Sequence, residues 1–235
     1  TISGNVVIGD GTWIGPNVTI MDGARIGKGC RIFPGAVISA IPQDLKFDGE
    51  ETTVEIGDNT TIRECCTLNR GTKDRMTTKV GSNCLLMAYV HLAHDAFVGD
   101  NCVIANSANI AGHVTIGNWV VIEGVVAIQQ FIEVGDHAFV AGGSLVRKNV
   151  PPFIKVAREP LSYIGVNSIG LRRRGFSDDQ VRQLEDMYRT LFVYNKNQAQ
   201  GVVEIEKMPD TPEKKQVLDF ISRSEKGIVK GAQTT

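Results

Sequence analysis

The sequence predicts an all-β solenoid, a parallel β-helix of hexapeptide repeats that is followed by a small α-helical C-terminal domain. Three observations support this fold class: an aliphatic residue recurs at every sixth position, a turn residue often follows it, and the repeat stops near residue 151. A period of six fits neither an α-helix nor an ordinary strand, so each short unit buries one side chain of a repeat architecture. The register is occupied by Ile2, Ile8, Ile14, Ile20, Ile26, Ile32, Ile38, Ile56, Ile62, Leu68, Val80, Leu86, Leu92, Val98, Ile104, Ile110, Ile116, Ile122, Ile128, Val134, Val140 and Val146.

Turn residues follow many register positions, as in Val98-Gly99-Asp100. They predict a tight corner after each short strand, because glycine, aspartate and asparagine tolerate the backbone angles of turns. Segments of about 41–53 and 72–78 are expected to leave the coil as loops, and loops on a rigid scaffold often carry substrate contacts. The register is broken there at three positions that should be aliphatic, namely Asp44, Glu50 and Asp74.

The composition changes after residue 151, where helix-forming residues replace the repeat. Ser177 and Gln180 predict a capping box at the start of one helix, and Thr211-Pro212 predicts the start of another. We therefore divide the chain into a β-helix over 1–151 and an α-helical C-terminal domain over 152–235.

The bulk composition argues against a nucleic-acid-binding, membrane-inserted or secreted protein. With 235 residues and a formal net charge of −1, the chain gives no indication of a nucleic-acid-binding surface. It contains no run of about 18 apolar residues, and its first residues lack the features of a signal peptide, so we expect a cytoplasmic protein without membrane insertion. Four of the five cysteines fall four positions after a register residue and are expected to be reduced core residues: Cys30, Cys66, Cys84 and Cys102.

The histidines carry most of the chemical information. If three hexads form one coil, residues 18 apart stack directly, about 4.8 Å from each other. His94 and His113 then lie about one coil apart on one face, and His91 lies at the corner leading into that face. Gln130 repeats the position of His94 two coils later, whereas His137 belongs to another face.

Two chemistries could use this cluster. His91, His94 and His113 are the right number of imidazoles for a catalytic zinc with an open position. Acyl transfer would instead use His94 as a general base beside Asp95, with the unhindered amide of Gly112 holding an oxyanion. A non-catalytic scaffold built on the same repeat is the third possibility.

Five motifs are spread over nearly the whole chain. They are Ile41-Pro42-Gln43-Asp44-Leu45-Lys46, Asn69-Arg70-Gly71-Thr72, His91-Leu92-Ala93-His94-Asp95, Ala111-Gly112-His113 and Gly170-Leu171-Arg172-Arg173-Arg174-Gly175-Phe176. Together they resemble the UDP-N-acetylglucosamine acyltransferases. The resemblance implies a left-handed parallel β-helix, a homotrimer and active sites in clefts between subunits. It also implies transfer of a 3-hydroxyacyl chain from acyl carrier protein to the glucosamine 3-hydroxyl of UDP-N-acetylglucosamine, the first step of lipid A biosynthesis. No cofactor is implied beyond the phosphopantetheine of the carrier.

The resemblance also assigns roles to single residues. His94 matches the family's general base, Asp95 the carboxylate paired with it, and Gly112 the oxyanion-hole amide. Gly142 matches the residue that closes the acyl groove. The substrate-binding positions implied in this way are Asp44, Lys46, Met87, His91, His113, Gln130, Gly142, Asn167, Arg173 and Arg174.

One position departs from the family pattern, since Gln129 stands where well-known members have histidine. The intact loop around Asp44 and the arginines of residues 172–174 argue against a zinc hydro-lyase of the γ carbonic anhydrase type, because hydration of a small molecule needs neither. The same loop and the terminal helices favour the first enzyme of the pathway over the related N-acyltransferase that acts two steps later.

Overall fold

The computed structural model describes residues 1–195 and 197–231, and its larger part is a parallel β-helix. Each coil consists of three short strands joined by corners, and strands of successive coils pair in parallel. The strands of the coils are β1 (Val7–Ile8), β2 (Trp13–Ile14), β3 (Thr19–Ile20), β4 (Ala24–Ile26), β5 (Arg31–Ile32), β6 (Val37–Ala40), β7 (Thr53–Ile56), β8 (Thr61–Ile62), β9 (Thr67–Asn69), β10 (Thr77–Val80), β11 (Leu85–Leu86), β12 (His91–Leu92), β13 (Phe97–Val98), β14 (Val103–Ile104), β15 (Asn109–Ile110), β16 (Thr115–Ile116), β17 (Val121–Ile122), β18 (Ala127–Ile128), β19 (Glu133–Val134), β20 (Phe139–Val140) and β21 (Leu145–Val146).

The strands form three sheets, one for each face of the coil. The first sheet has the order β1-β4-β7-β10-β13-β16-β19, the second contains β2-β5-β8-β11-β14-β17-β20, and the third runs from β3 to β21 through every third strand. The register confirms a coil of three hexads, since Leu92 pairs with Ile110 and Ile110 pairs with Ile128. Their side chains are buried, so the six-residue period marks the core of the solenoid.

The corners are tight for a steric reason. A Cβ added to Gly99 would lie 2.6 Å from Oδ1 of Asn118 in the next coil, so a larger residue does not fit there. The same Asn118 Oδ1 accepts a hydrogen bond of 2.8 Å from the Asp100 amide, and Oδ1 of Asp136 accepts one of 2.7 Å from the Asn118 amide. Side-chain oxygens thus bind the corner amides that strand pairing leaves free.

Two segments interrupt the coils, at residues 41–52 between β6 and β7 and at residues 70–76 between β9 and β10. They overlap the loops expected from the sequence, but Thr53 and Thr77–Thr78 belong to strands. Gly71 makes the second excursion possible, because a Cβ on it would lie 2.4 Å from the Thr77 amide nitrogen.

The residues after the coils begin with strands and then become helical. Strands β22 (Ile154–Ala157) and β23 (Ser162–Val166) extend the second sheet, so the part assigned as helical over 152–235 begins with two strands and its first helix starts at Ser168. The reason is that the last coil would otherwise leave its edge unpaired, and β22 continues the stack by pairing Val156 with Val140. The remaining elements are helices α1 (Ser168–Arg173), α2 (Asp178–Arg189), a π-helical turn (Thr190–Tyr194), α3 (Gln198–Glu206), α4 (Pro212–Ser222) and strand β24 (Lys230–Gly231).

Both predicted helix starts are confirmed. The Ser177 hydroxyl accepts a 3.2 Å hydrogen bond from the Gln180 amide, and the Gln180 side chain accepts one of 2.9 Å from the Ser177 amide. Thr211 caps α4 by accepting from the Lys214 amide at 3.1 Å, with Pro212 as the first helical residue. Every helix in the described part of the chain is too short or too polar to cross a membrane.

The cysteines are all free thiols. Cys30, Cys66, Cys84 and Cys102 are buried, as predicted for small residues of the coil core, and Cys65 is exposed. Burial raises the pKa of the Cys66 thiol to about 11, so it stays protonated.

Candidate active site

The corner between the third and first sheets brings His94 and Asp95 together. His94 follows β12, and its side chain is buried, with 5% of its surface exposed. Its Nδ1 lies 2.9 Å from Oδ2 of Asp95. A carboxylate binds the protonated Nδ1 and leaves the lone pair on Nε2, so this contact selects the tautomer that can accept a proton at Nε2.

Asp95 is a buried carboxylate with a full set of donors. Besides His94, the amides of Thr72 and Arg75 donate to its Oδ1 at 3.0 and 3.2 Å, and the Thr72 hydroxyl donates to its Oδ2 at 2.6 Å. Burial by itself would raise the pKa of Asp95, but the hydrogen bonds from Thr72, His94 and Arg75 outweigh it and lower that pKa. The side chain is therefore an anion at neutral pH.

Gly112 lies against the imidazole of His94 from the next coil. A Cβ on Gly112 would be 2.7 Å from Cε1 and 2.8 Å from Nε2 of His94, so a side chain at this position would displace the ring. The Gly112 amide donates none of the hydrogen bonds formed among residues 1–195 and 197–231. Equivalent amides of another corner, such as those of Asp100 and Asn118, bind side-chain oxygens instead. A free N–H thus lies beside a free imidazole nitrogen.

His113 forms the other wall of this corner. Its ring meets the ring of His94 edge-on with centroids 5.0 Å apart, and it stacks on Phe131 with centroids at 4.5 Å. Nδ1 of His113 lies 3.0 Å from Oδ2 of Asp74, close enough for an ion pair, although the direction of approach does not make a hydrogen bond.

His91 lies on the outward face of the third sheet and is held by a different partner. Its Nδ1 is 2.7 Å from the Thr67 hydroxyl, one coil earlier. Burial lowers the pKa of His91, so the ring is neutral at physiological pH. The sequence analysis placed His91 near the site, and the structure puts it beside the corner without direct contact between its Nδ1 and the His94–Asp95 pair.

The zinc interpretation required His91, His94 and His113 to aim at one point. Within the described residues, the one group that converges is His94, Asp95 and His113, whose potential ligand atoms lie within 4.8 Å of one another. Asp95 already accepts from Thr72, Arg75 and His94, which together use the lone pairs of its carboxylate. This donor set does not fit a bound metal.

Three further predicted residues lie on the same edge of the solenoid, between the third and first sheets, in other coils. Asp44 and Lys46 are in the 41–52 loop, where Oδ1 of Asp44 accepts from the Lys46 amide at 3.0 Å and Leu45 between them is fully exposed. Gln130, like Gln129, is exposed one coil above Gly112.

Met87 and Gly142 lie at a second corner, between the second and third sheets. Strand β12, which contains His91, separates that corner from the corner of His94. Gly142 is exposed, and its amide donates to Oε2 of Glu123 at 2.8 Å. Its φ is not in the left-handed region, which at this corner belongs to Gly143 with φ of 70°.

Asn167 and Arg174 meet at a third corner, around His137. The Asn167 side chain donates to the His137 carbonyl at 2.9 Å, and the Arg174 guanidinium lies over the Trp119 ring at 5.3 Å from its centroid. Burial and then the charge of Arg174 lower the pKa of His137 to about 4. Arg173 is exposed.

The sequence analysis missed the contacts of Thr72 and Arg75 with Asp95. Thr72 was noted only within a motif, and Arg75 was not singled out, yet both bind the Asp95 carboxylate. The break of register at Asp74 was the available signal, because it marks an excursion next to the coil that carries His94.

Comparisons with known proteins agree with the fold. A family model described as bacterial transferase hexapeptide (six repeats) matches residues 5–40 and 77–112. A second one, described as UDP N-acetylglucosamine O-acyltransferase, domain 2, matches residues 149–229.

Curated relatives are 38–55% identical to this chain over the aligned residues. A Sulfurihydrogenibium protein named acyl-acyl-carrier-protein–UDP-N-acetylglucosamine O-acyltransferase is 55% identical over 194 residues, which cover 82% of this chain and 72% of the relative. A Psychromonas ingrahamii protein of the same name is 47% identical over 220 residues, covering 93% of this chain and 84% of the relative.

Solved structures extend the similarity over nearly the whole chain. The UDP-N-acetylglucosamine acyltransferase of Bacteroides fragilis superposes with a TM-score of 0.93 at 42% identity and covers 97% of both chains. That of Francisella novicida gives a TM-score of 0.95 at 36% identity, over 99% of this chain and 86% of the other.

Proposed function

The chain belongs to the family of the acyl-acyl-carrier-protein–UDP-N-acetylglucosamine O-acyltransferases, and on that premise we propose that His94 is the general base of its reaction. The protein is an O-acyltransferase with the left-handed parallel β-helix fold of this family. It transfers an acyl chain from acyl carrier protein to UDP-N-acetylglucosamine.

The proposed step is a direct acyl transfer. Nε2 of His94 accepts the proton of the glucosamine 3-hydroxyl while that oxygen attacks the thioester carbonyl of a 3-hydroxyacyl chain. The resulting oxyanion is bound by the Gly112 amide. The C–S bond then breaks, and the departing sulfur of phosphopantetheine takes the proton from Nε2, giving the thiol and a 3-O-acyl ester. We assign this reaction to the first step of lipid A biosynthesis.

A single observation carries the proposal. A Cβ on Gly112 would lie 2.8 Å from Nε2 of an imidazole whose other nitrogen is bound to a buried carboxylate, and the Gly112 amide has no hydrogen-bond partner among the described residues. General-base catalysis needs a free nitrogen on a fixed ring, and oxyanion stabilisation needs a free donor next to it. Asp95 acts through His94 as its positioning partner.

Substrate binding is assigned to residues around this corner. We propose that Asp44 and Lys46 bind the sugar and acyl groups, and that His91, His113 and Gln130 line the cleft. Met87 and Gly142 would line the acyl groove, and Asn167, Arg173 and Arg174 would contact the nucleotide and the carrier. The guanidinium groups suit phosphate recognition because they donate two parallel hydrogen bonds.

A homotrimer would join these separate groups, and we propose it as the active form. In one chain Gly112, Gly142 and Arg174 lie at three different corners, so a cleft containing all of them needs a neighbouring subunit. The fully exposed Leu45, between Asp44 and Lys46, supports an intersubunit position for the loop. Sedimentation equilibrium tests this assembly, and a monomeric active enzyme would contradict it.

The reaction needs no resident cofactor in this scheme, since the acyl group arrives on the phosphopantetheine of acyl carrier protein. We place the enzyme in the cytoplasm. The free thiols of the buried cysteines support this location, because such thiols persist in a reducing compartment.

The test replaces His94 by alanine. A positioned base contributes about 10²–10⁴ in rate, so kcat should fall by that factor while UDP-N-acetylglucosamine still binds. Added imidazole should restore part of the rate to His94→Ala and none to Gly112→Ala, because only the first variant lacks a base. Because His94 is buried, the melting temperature of each variant is measured alongside. More than about a tenth of wild-type activity in folded His94→Ala would refute the assignment.

A further inference from the structure

Among the described residues, the 70–76 segment supplies every hydrogen bond to the Asp95 carboxylate except that of His94. The Thr72 hydroxyl donates to Oδ2 at 2.6 Å, the Thr72 amide to Oδ1 at 3.0 Å and the Arg75 amide to Oδ1 at 3.2 Å. Both oxygens are thereby fixed, and the carboxylate cannot rotate away from Nδ1 of His94 without breaking several hydrogen bonds.

The segment is itself held rigidly against the coils. The Arg75 guanidinium donates to the Asp95 carbonyl at 3.0 Å and to the Thr115 hydroxyl at 3.2 Å. It also lies over the ring of Phe97, 4.8 Å from the centroid. Within the segment, the Met76 amide donates to the Thr72 carbonyl at 2.8 Å. Its donors therefore keep a fixed position relative to the corner of His94.

We propose that Thr72 and the Arg75 backbone are positioning residues of the reaction, which hold the Asp95 carboxylate so that the His94 ring keeps Nε2 directed at the substrate. This inference rests on the proposed function of His94. A regular hexapeptide corner forms without hydrogen bonds from a loop to a buried carboxylate. We therefore assign the excursion at residues 70–76 a role in the reaction and not only in the fold. The Asp74 carboxylate of the same segment lies 3.0 Å from Nδ1 of His113, the second histidine of this site.

Protonation of the His94–Asp95 pair gives the proposal a specific readout. The charged and titratable groups around the carboxylate are His94, the Arg75 guanidinium, His113 and Asp74. A donor to an anion favours its ionised form, so removing the Thr72 hydroxyl should make the pair easier to protonate. The acid limb of the profile of kcat/KM against pH should then move to higher pH.

The experiment compares Thr72→Val, Thr72→Ser and a control, Thr60→Val. Thr60 is also a buried threonine, whose hydroxyl donates to the Gly81 carbonyl at 2.7 Å and accepts from the Cys84 amide at 3.1 Å, away from the corner of His94. Thr72→Val should lose about 10–100-fold in kcat with KM for UDP-N-acetylglucosamine unchanged, together with the shifted acid limb. Thr72→Ser should restore the wild-type profile. Thr60→Val should lose thermal stability while keeping kcat and profile.

Wild-type kcat and pH profile in Thr72→Val would overturn the positioning role. So would an equal loss in Thr60→Val, since that result would point to general loss of stability. If Thr72→Val folds poorly, Thr72→Ala carries the same test, because it lacks the hydroxyl and introduces no extra bulk. An active His94→Ala would instead refute the proposed function, which keeps the two failures distinct.

Discussion

Replacing Gly112 by alanine should slow turnover strongly with little effect on folding. The added Cβ would lie 2.7 Å from Cε1 of His94, and ordinary contact begins at 3.4 Å, so the ring has to retreat by about 0.7 Å. A misplacement of about 1 Å can cost about 10²-fold in rate, and an oxyanion that no longer reaches the Gly112 amide, which alanine retains, would cost about 10²–10³-fold in kcat. We therefore expect kcat to fall by about 10²–10³, equivalent to roughly 2.7–4 kcal/mol in the activation barrier.

The matched control is Gly4→Ala. Gly4 has the same position in the hexad, at the same corner of the first coil, and a Cβ there would meet nothing within 4 Å. Acyl transfer is measured with UDP-N-acetylglucosamine and a 3-hydroxyacyl carrier protein, and melting curves are recorded for both variants. A folded Gly112→Ala with more than about a tenth of wild-type kcat, or an equally slow Gly4→Ala, would refute the reasoning.

Three further predictions follow from other parts of the molecule. Gly142→Met should shift preference toward shorter acyl chains, since each methylene excluded from the groove forfeits about 0.8 kcal/mol. The φ of Gly142 does not require glycine, but a Cβ would lie 3.3 Å from the Gly124 carbonyl oxygen, so a melting curve accompanies the competition assay. Unchanged preference in a folded variant would contradict the groove assignment. Arg173→Glu should weaken use of acyl carrier protein at low salt, and a loss that persists at 1 M salt would not be electrostatic, because the screening length is then about 3 Å. The free energy of unfolding of the wild type should fall as pH drops from about 6.5 to 4, by at most about 1.4 kcal/mol per pH unit. The reason is that His137 has a pKa of about 4 in the folded chain and stays neutral in this range, whereas the same histidine in the unfolded chain becomes protonated. His137→Phe should flatten that dependence in urea titrations.

The site was only partly predictable. His94, Asp95 and Gly112 could be placed together because residues 18 apart stack, and the distances from Gly112 to the His94 ring agree with that arithmetic. Thr72 and Arg75 could not, because they lie in an excursion whose path has no period. The depth of burial of His94 was also beyond the pattern, since it depends on packing such as the edge-on contact with the ring of His113.

The sequence by itself determined the buried six-residue register that contains Leu92, Ile110 and Ile128, and the helix starts at Ser177 and Thr211. Each of these depends on residues that are close in sequence or repeat at a fixed interval, so local preferences encode them. The coil of three hexads was an assumption that the strand pairing confirms. The tertiary structure alone decided that residues 154–166 cap the last coil as strands, and that donors from the 70–76 segment surround Asp95. Those features arise from contacts between segments far apart in the chain. An unpaired strand edge and a buried charge each need a hydrogen-bonding partner, and the tertiary fold decides which residues are close enough to provide it.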